Sequence, residues 1–185
     1  YAGANVRDYG GIGGMKTVSV RNLGAQHTAV SYDGITVSNT QAGQIDIGRF
    51  SLDNVKMLSL SIGQNDDIMQ TARHFASAGV LDIETRKPYF GDNQDYSIRL
   101  KVRGGSFGLV NPSLRYWQRL GKRLTMSVDG TCLRADGVYP FTLKNGMLKT
   151  HEKRYNSDIK SWNGEANFYY TFNDSSQLDT KIYYY

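Results

Sequence analysis

Four groups of residues in this 185-residue chain have the types and spacing for chemistry. The run "GGIGGMKT" at 10–17 offers a glycine-rich loop of the kind that cradles phosphate. Asp66 and Asp67 offer a carboxylate pair for acid–base work. His27, His74, His151 and Cys132 offer metal or nucleophilic groups. The basic stretch 144–160 offers cations for an anionic partner.

None of the four carries a complete pattern. A dinucleotide site needs its glycines directly after a strand and opening a helix, and a phosphate loop needs Lys-Ser/Thr directly after its last glycine. Here Met15 separates Gly14 from Lys16, and the alternation "KTVSV" that follows predicts a strand. Without a helix N-terminus no dipole is aimed at a phosphate. The glycines therefore predict a tight turn that needs positive φ. Asp66 and Asp67 are adjacent, so their side chains diverge in an extended chain, and no second acid is placed opposite them. The histidines lie far apart without ligand-like spacing. Cys132 is alone, which excludes an internal disulfide and predicts a small apolar side chain. The basic stretch also contains Glu152 and Asp158, and suits a solvated loop facing anionic lipopolysaccharide as well as it suits nucleic acid. No catalytic residue, cofactor, metal or nucleic-acid partner is expected.

The elements behind these residues change character along the chain. Residues 1–93 hold 8 Lys/Arg and 9 Asp/Glu; residues 94–185 hold 14 and 8, with nine of the 13 tyrosines. A domain boundary is expected there, 1–93 and 94–185. The mean hydropathy is −0.49, and no run approaches the ~20 apolar residues of a spanning helix. The opening "YAGANVRD" has no Met, basic start or apolar run, and the close "TKIYYY" falls within a pattern. A piece of a longer protein is expected.

The second part alternates with the two-residue period of a strand. "YSIRLKVRG" puts Ile98, Leu100 and Val102 opposite Arg99, Lys101 and Arg103. "RLTMSVDGTC" puts Leu124, Met126 and Val128 opposite Thr125, Ser127 and Asp129. "WNGEANFYYTF" puts Trp162, Ala166 and Phe168 opposite Asn163, Glu165 and Asn167. "QLDTKIYYY" puts Leu178, Ile182 and Tyr184 opposite Asp179, Lys181 and Tyr183, and "NPSLRYWQR" adds one more strand. Short turns at 120–123 and 173–176 contrast with a long polar loop at 136–160. That asymmetry matches an outer-membrane barrel, with Tyr116, Trp117, Trp162 and Tyr183 to Tyr185 near the interfaces. A soluble sandwich with one face on a core also alternates. Five strands without a covering helix leave two open edges, through which the piece is expected to self-associate.

The first part predicts a compact α+β unit with a small mixed sheet: strands at 16–22, 57–62 and 80–85, an Asp33-Gly34 hairpin, and a short helix or turn near 49–54 capped by Ser51 or Asp53.

These residues resemble a TonB-dependent outer-membrane receptor along essentially the whole chain. "NVRDYGGIGGMKTVSVRNLGAQHTAVSYDGITVSN" is similar to the plug segment in which a glycine-rich turn leads to a strand and an Asp-Gly hairpin. "NVKMLSLSIGQ" and "ARHFASAGVLDIET" are similar to the closing part of the plug, and "DGVYPFTLKNG" resembles a segment of receptors common in Bacteroidetes-type bacteria. The family's Arg-Gly stands here as Arg21-Asn22, and the arginine of its later strand is missing before Gly63. The resemblance implies an α+β plug at 1–93 followed by about five antiparallel strands, 94–185, of a partial barrel. It implies import of a scarce nutrient (iron-siderophore, cobalamin or glycan) through TonB-driven movement of the plug, with a TonB segment outside this sequence and outer-membrane lipid around the barrel. Arg21 is implied as a plug–barrel contact. The polar tips 36–44 and 64–73 suit ligand contacts at Asn39, Gln41, Gln44, Asp66 and Asp67, and Tyr139 adds stacking surface. A soluble β-rich binding or adhesion module stays open as the alternative.

Overall fold

The computed structural model describes residues 3–63, 70–173 and 176–185. The chain divides into two compact units, Tyr1–Arg86 and Lys87–Tyr185. The break falls just before the shift in charge, so residues 87–93 go with the second unit.

The first unit opens with β1 (Ala4–Asp8) and β2 (Lys16–Val20), an antiparallel hairpin whose connection is the glycine cluster. Gly11 and Gly13 have φ of +73° and +71°, so the cluster is the turn that glycine's freedom allows. Sequence periodicity missed β1, because "ANVRD" is too short and too polar to alternate visibly. After a 3-10 turn (Ala25–His27) come β3 (Thr28–Tyr32) and β4 (Ile35–Val37). They join through Asp33 and Gly34, both at positive φ, as the two-residue hairpin requires.

The expected helix at 49–54 is instead a 3-10 turn at Ile47–Arg49. It is capped by Asp46 rather than by Ser51 or Asp53: the Asp46 carboxylate accepts from Gly48 N at 2.9 Å and from Lys16 N at 2.9 Å. Asp46 thus ties this turn to the β1–β2 hairpin, a contact across 30 residues that local capping rules do not register. β5 (Val55–Ile62), the four-residue α1 (Ala72–Phe75) and β6 (Gly79–Thr85) complete the unit. The sheet order is β4-β3-β6-β5, with β3 and β6 parallel and the other pairs antiparallel. The sheet is mixed as expected, but helix in the described residues is limited to α1 and two 3-10 turns.

This unit has an ordinary core. Val18, Val20, Ala29, Val30, Tyr32, Ile45, Phe50, Val80, Leu81 and Ile83 are buried, and Tyr32 stacks on Phe50 with ring centroids 4.8 Å apart. β3, the central strand, is buried at every position. At Gly79 a Cβ would lie 2.9 Å from Val20 Cγ2 and 3.1 Å from Ser61 O, so only glycine lets β2 pack this closely on β6.

The second unit is a five-stranded antiparallel sheet and a separate hairpin. The strands are β7 (Tyr96–Gly105), β8 (Leu109–Arg119), β9 (Leu124–Ala135), β10 (Pro140–Asn145), β11 (Leu148–Lys153), β12 (Ile159–Asn173) and β13 (Ser176–Tyr184). The order is β13-β12-β9-β8-β7, a meander, and β10–β11 forms a hairpin inside the expected long loop. That loop is therefore half strand. Its alternation was masked because Asn145, Thr150 and Glu152 share the face of Phe141, Leu143 and Leu148.

The sheet has its burial reversed. Among the described residues of this unit Ala135 is the one buried hydrophobic residue. The apolar set is exposed, with Leu100 at 69% and Ile182 at 61%, whereas Ser127 at 1% and Asn167 at 2% are buried. A soluble sandwich covers its apolar face; this sheet does the opposite.

Candidate functional site

Three polar arrangements are built by these elements. The first lies on the buried face of the five-stranded sheet. Cross-strand register sets Arg115 of β8 opposite Asp129 of β9, and Asp129 opposite Glu165 of β12. Lys181 of β13 reaches Glu165 from the diagonal position. Arg115 Nε donates to Asp129 Oδ1 at 2.6 Å, and Lys181 Nζ donates to Glu165 Oε1 at 2.7 Å. The order along the row is cation, anion, anion, cation, so each acid of the like-charged neighbouring pair has its own base. Asn167 Nδ2 donates to Glu165 Oε1 at 2.7 Å and to Ser127 Oγ at 3.0 Å. Asp129 Oδ2, Asn163 Oδ1, Asn167 Oδ1 and Trp117 Nε1 are buried without a partner within the chain. This surface has hydrogen-bonding capacity to spare, which fits a wall meant to face water or another polar surface.

Trp117, expected at an interface, belongs to this polar face: the Arg115 guanidinium lies 5.6 Å from its ring. Sequence alternation around 116–117 places two aromatic residues side by side, so it cannot tell which of them turns outward; the register does.

The second arrangement is in the first unit. Thr36 Oγ1 lies 3.0 Å from Thr71 Oγ1 and 3.1 Å from His74 Nε2, and Arg73 Nη2 donates to Gly43 O at 3.5 Å. Thr71 also caps α1, accepting from His74 N at 3.4 Å. These contacts hold the segment after β4 against the start of α1. Asn39 Oδ1 accepts from Gln41 N at 3.0 Å and Ala42 N at 3.1 Å, so its side chain shapes the loop. Gln41 is exposed and Gln44 half-buried. Asp66 and Asp67 lie outside the described residues. Sequence reasoning had Thr36 and Thr71 only as members of two polar tips and His74 only as an isolated histidine, and missed their convergence; the Thr71 cap before "ARHF" was the available signal, too weak in so short a helix to stand out.

The third arrangement surrounds Tyr139. Phe107, in the β7–β8 turn, lies 5.6 Å from its ring and Phe141 lies 6.5 Å away. Arg154 Nη1 donates to the Tyr139 hydroxyl at 2.9 Å. Asp136 N and Gly137 N both donate to Phe107 O, which fixes the root of the long connection on that turn.

Arg21 is exposed, at the end of β2, with φ of +49°, and Asn22 follows at +61°. The pair forms a left-handed corner, and asparagine is among the residues that tolerate that conformation in place of glycine. At the glycine turn, Asp8 accepts from Gly10 N and Gly11 N and pairs with Lys16. The Lys16 hydrogen bond, and then those two N–H groups, hold the Asp8 carboxyl below the usual carboxylate range. Two of the turn's N–H groups, those of Gly10 and Gly11, are thus already engaged by the chain's own acid. Among the described residues no three His, Cys, Asp or Glu converge on one point.

A small mixed unit with a buried core, followed by a meander whose oily face is bare and whose polar face is buried on the middle strands β8, β9 and β12, has the fold of a segment of a TonB-dependent outer-membrane transporter. Two solved structures carry that likeness. The chain is similar to the copper transporter OprC with a TM-score of 0.70 and 16% identity, over 98% of this chain and 26% of that one. It is similar to the FrpB iron transporter from Neisseria meningitidis (F3-3 variant) with a TM-score of 0.65 and 14% identity, over 93% of this chain and 25% of that one. The chain spans about a quarter of the length of these structures, and what is shared at such identity is the fold. Both are named as transporters, neither as an enzyme. No protein-family model matches the chain, and no curated protein matches it.

Proposed function

We propose that this chain is a segment of a TonB-dependent outer-membrane transporter, in which residues 1–93 act as the plug and residues 94–185 begin the barrel wall. The observation that carries the reading is the reversed burial of the five-stranded sheet. Side chains such as Leu100, Leu114, Val128 and Ile182 are bare, and in water that much continuous apolar surface is a liability. Against a bilayer it is the stable arrangement, with polar residues turned to a hydrated interior.

In this reading a scarce nutrient binds at the outer face and TonB-driven movement of the plug admits it. The two structural neighbours are named for copper and iron, which favours a metal or metal-chelate cargo over a glycan. Asn39, Gln41 and Gln44 of the segment 36–44, Asp66 and Asp67 of the segment 64–73, and Tyr139 with its aromatic neighbours, are the proposed cargo contacts. Arg21, exposed at a rigid corner, is the proposed plug-to-wall contact. The energy comes from outside the chain through TonB, so no nucleotide site is required.

The test is uptake. Deleting the gene for the protein that carries this chain is expected to abolish energy-dependent accumulation of one copper, ferric-chelate or cobalamin source. Accumulation returns only when the restored gene encodes residues 1–93 together with the strands. Unchanged accumulation and growth on every such source and on glycans would overturn the proposal and favour a non-transporting binding or adhesion module.

A further inference from the structure

The β10–β11 hairpin has two unlike faces. Register places Pro140 opposite Lys153, Thr142 opposite His151, and Lys144 opposite Lys149. Directly opposed residues share a face, so Lys144, Lys149 and Lys153 line one side with Thr142 and His151. The other side carries Phe141, Leu143 and Leu148, all exposed, interspersed with Asn145, Thr150 and Glu152, the last opposite Phe141 near the root, and Met147 at the tip is fully exposed. Lys144 and Lys149 are like charges in direct register, which weakens an isolated two-stranded ribbon. Among the described residues, none of the three lysines forms an ion pair with an acid. A two-stranded hairpin of six residues a side is marginal by itself. This one is held to the body at its root, where Arg154 N donates to Tyr139 O at 3.0 Å and Tyr139 packs on Phe107. Neither the bare apolar side nor the repelling lysine side is satisfied by the chain.

We propose that this hairpin is a membrane-surface anchor: its lysine face binds the phosphates of an anionic lipid headgroup layer, and the apolar side chains toward its tip, Leu143, Met147 and Leu148, rest among the acyl chain ends, with Glu152 nearer the root at the hydrated headgroup level. One occupant resolves both deficits. Phosphate between Lys144 and Lys149 turns repulsion into two charge-assisted bonds, and lysine stems let the ammonium groups reach headgroup level while apolar neighbours stay in the oily layer. A free anion satisfies only the lysine side and leaves Phe141, Leu143, Leu148 and Met147 in water. The hairpin connects β9 to β12, whose apolar face is bare too. The inference rests on the reading that the sheet meets lipid. Its readout involves no import, so the two fail separately.

The experiment uses the full-length protein in neutral detergent, titrated with bisphosphorylated lipid A and with its dephosphorylated counterpart, the bound lipid being counted by native mass spectrometry. The wild-type protein is expected to prefer the phosphorylated lipid, less so as salt rises. The triple change Lys144→Gln, Lys149→Gln and Lys153→Gln is expected to lower that preference about a hundredfold, each lysine near an anionic surface contributing about fivefold. Phe141→Ser with Leu143→Ser is expected to weaken binding of both lipids. Equal binding of the two lipids by the wild-type protein overturns the proposal without any variant having to fold. Full displacement of the lipid by millimolar inorganic phosphate, or an unchanged preference in the triple variant, overturns it as well.

Discussion

Asp33 holds Thr85 by two hydrogen bonds across 52 residues: Thr85 N donates to Asp33 Oδ1 and Thr85 Oγ1 donates to Asp33 Oδ2, both at 2.6 Å. Asp33 sits at φ +49° in the β3–β4 turn, and Thr85 ends β6 one residue before the division between the units. The aspartate that makes the hairpin possible therefore also ties off the parallel strand beside it. Asp33→Ala removes both bonds and puts a β-carbon without polar compensation at positive φ; it is expected to cost about 2–3 kcal/mol. Asp33→Asn keeps the tolerance for that conformation and one acceptor, and is expected to cost about 1 kcal/mol. Urea unfolding followed by a probe in the first unit checks both, and equal costs would refute the double role.

The pair Lys181 and Glu165 is the sharpest test of the polar face. Their side chains are 12% and 6% exposed. Lys181→Met leaves Glu165 buried without its base and is expected to cost about 3–5 kcal/mol, whereas adding Glu165→Gln is expected to recover much of the loss. A double-mutant cycle by unfolding in detergent reads the coupling; additive single effects would mean that the two do not act as a pair.

Val128, in the middle of the bare face of β9, separates lipid from water. Val128→Arg in a bilayer is expected to cost about 2–4 kcal/mol near the midplane. On a water-facing surface the same change stays within about 0.5 kcal/mol. The folded fraction in phospholipid vesicles, compared with the wild-type protein, decides between them.

The glycine turn gives a local prediction. At Gly14 a Cβ would lie 2.7 Å from Gly10 N and Cα, whereas at Gly10 the nearest atom would be 3.6 Å away. Gly14→Ala is expected to open the β1–β2 turn and raise amide exchange there, and Gly10→Ala to change little.

Asp8 supplies a pH dependence with a definite sign. Its carboxyl is held below the ordinary value in the folded chain, chiefly by Lys16. A depressed folded value means stability that is present above the unfolded value, about 3.9, and lost as pH falls through the folded one. Amide protection of Gly10 and Gly11 is expected to hold at pH 5 and above and to fade below about pH 4. In Asp8→Asn that protection is expected to be weaker and flat with pH.

The sequence alone determined the five strands of the meander and the two faces of β7, β9, β12 and β13. A period of two survives in any context, so the sets led by Leu100, Val128 and Glu165 are legible without coordinates, as is the Asp33-Gly34 turn, whose two residues answer for their own φ. The local chain also ruled on the glycine cluster, since Met15 and the following strand leave no helix to aim at a phosphate. Only the tertiary structure decided which face is covered. Alternation is the same whether a sheet turns its oily side to a core or to lipid, and burial of Ser127 and Asn167 is a property of the assembled sheet. The tertiary structure likewise chose Asp46 over Ser51 and Asp53 as a cap, set Trp117 among the polar residues, and raised the β10–β11 hairpin out of a stretch that reads as loop. The Asp46 contact reaches a partner 30 residues away, the Arg115–Asp129 pair beside Trp117 spans 14, and the hairpin strands pair across 3 to 13; energies that arise from such partners leave no mark on the pattern of neighbouring residues.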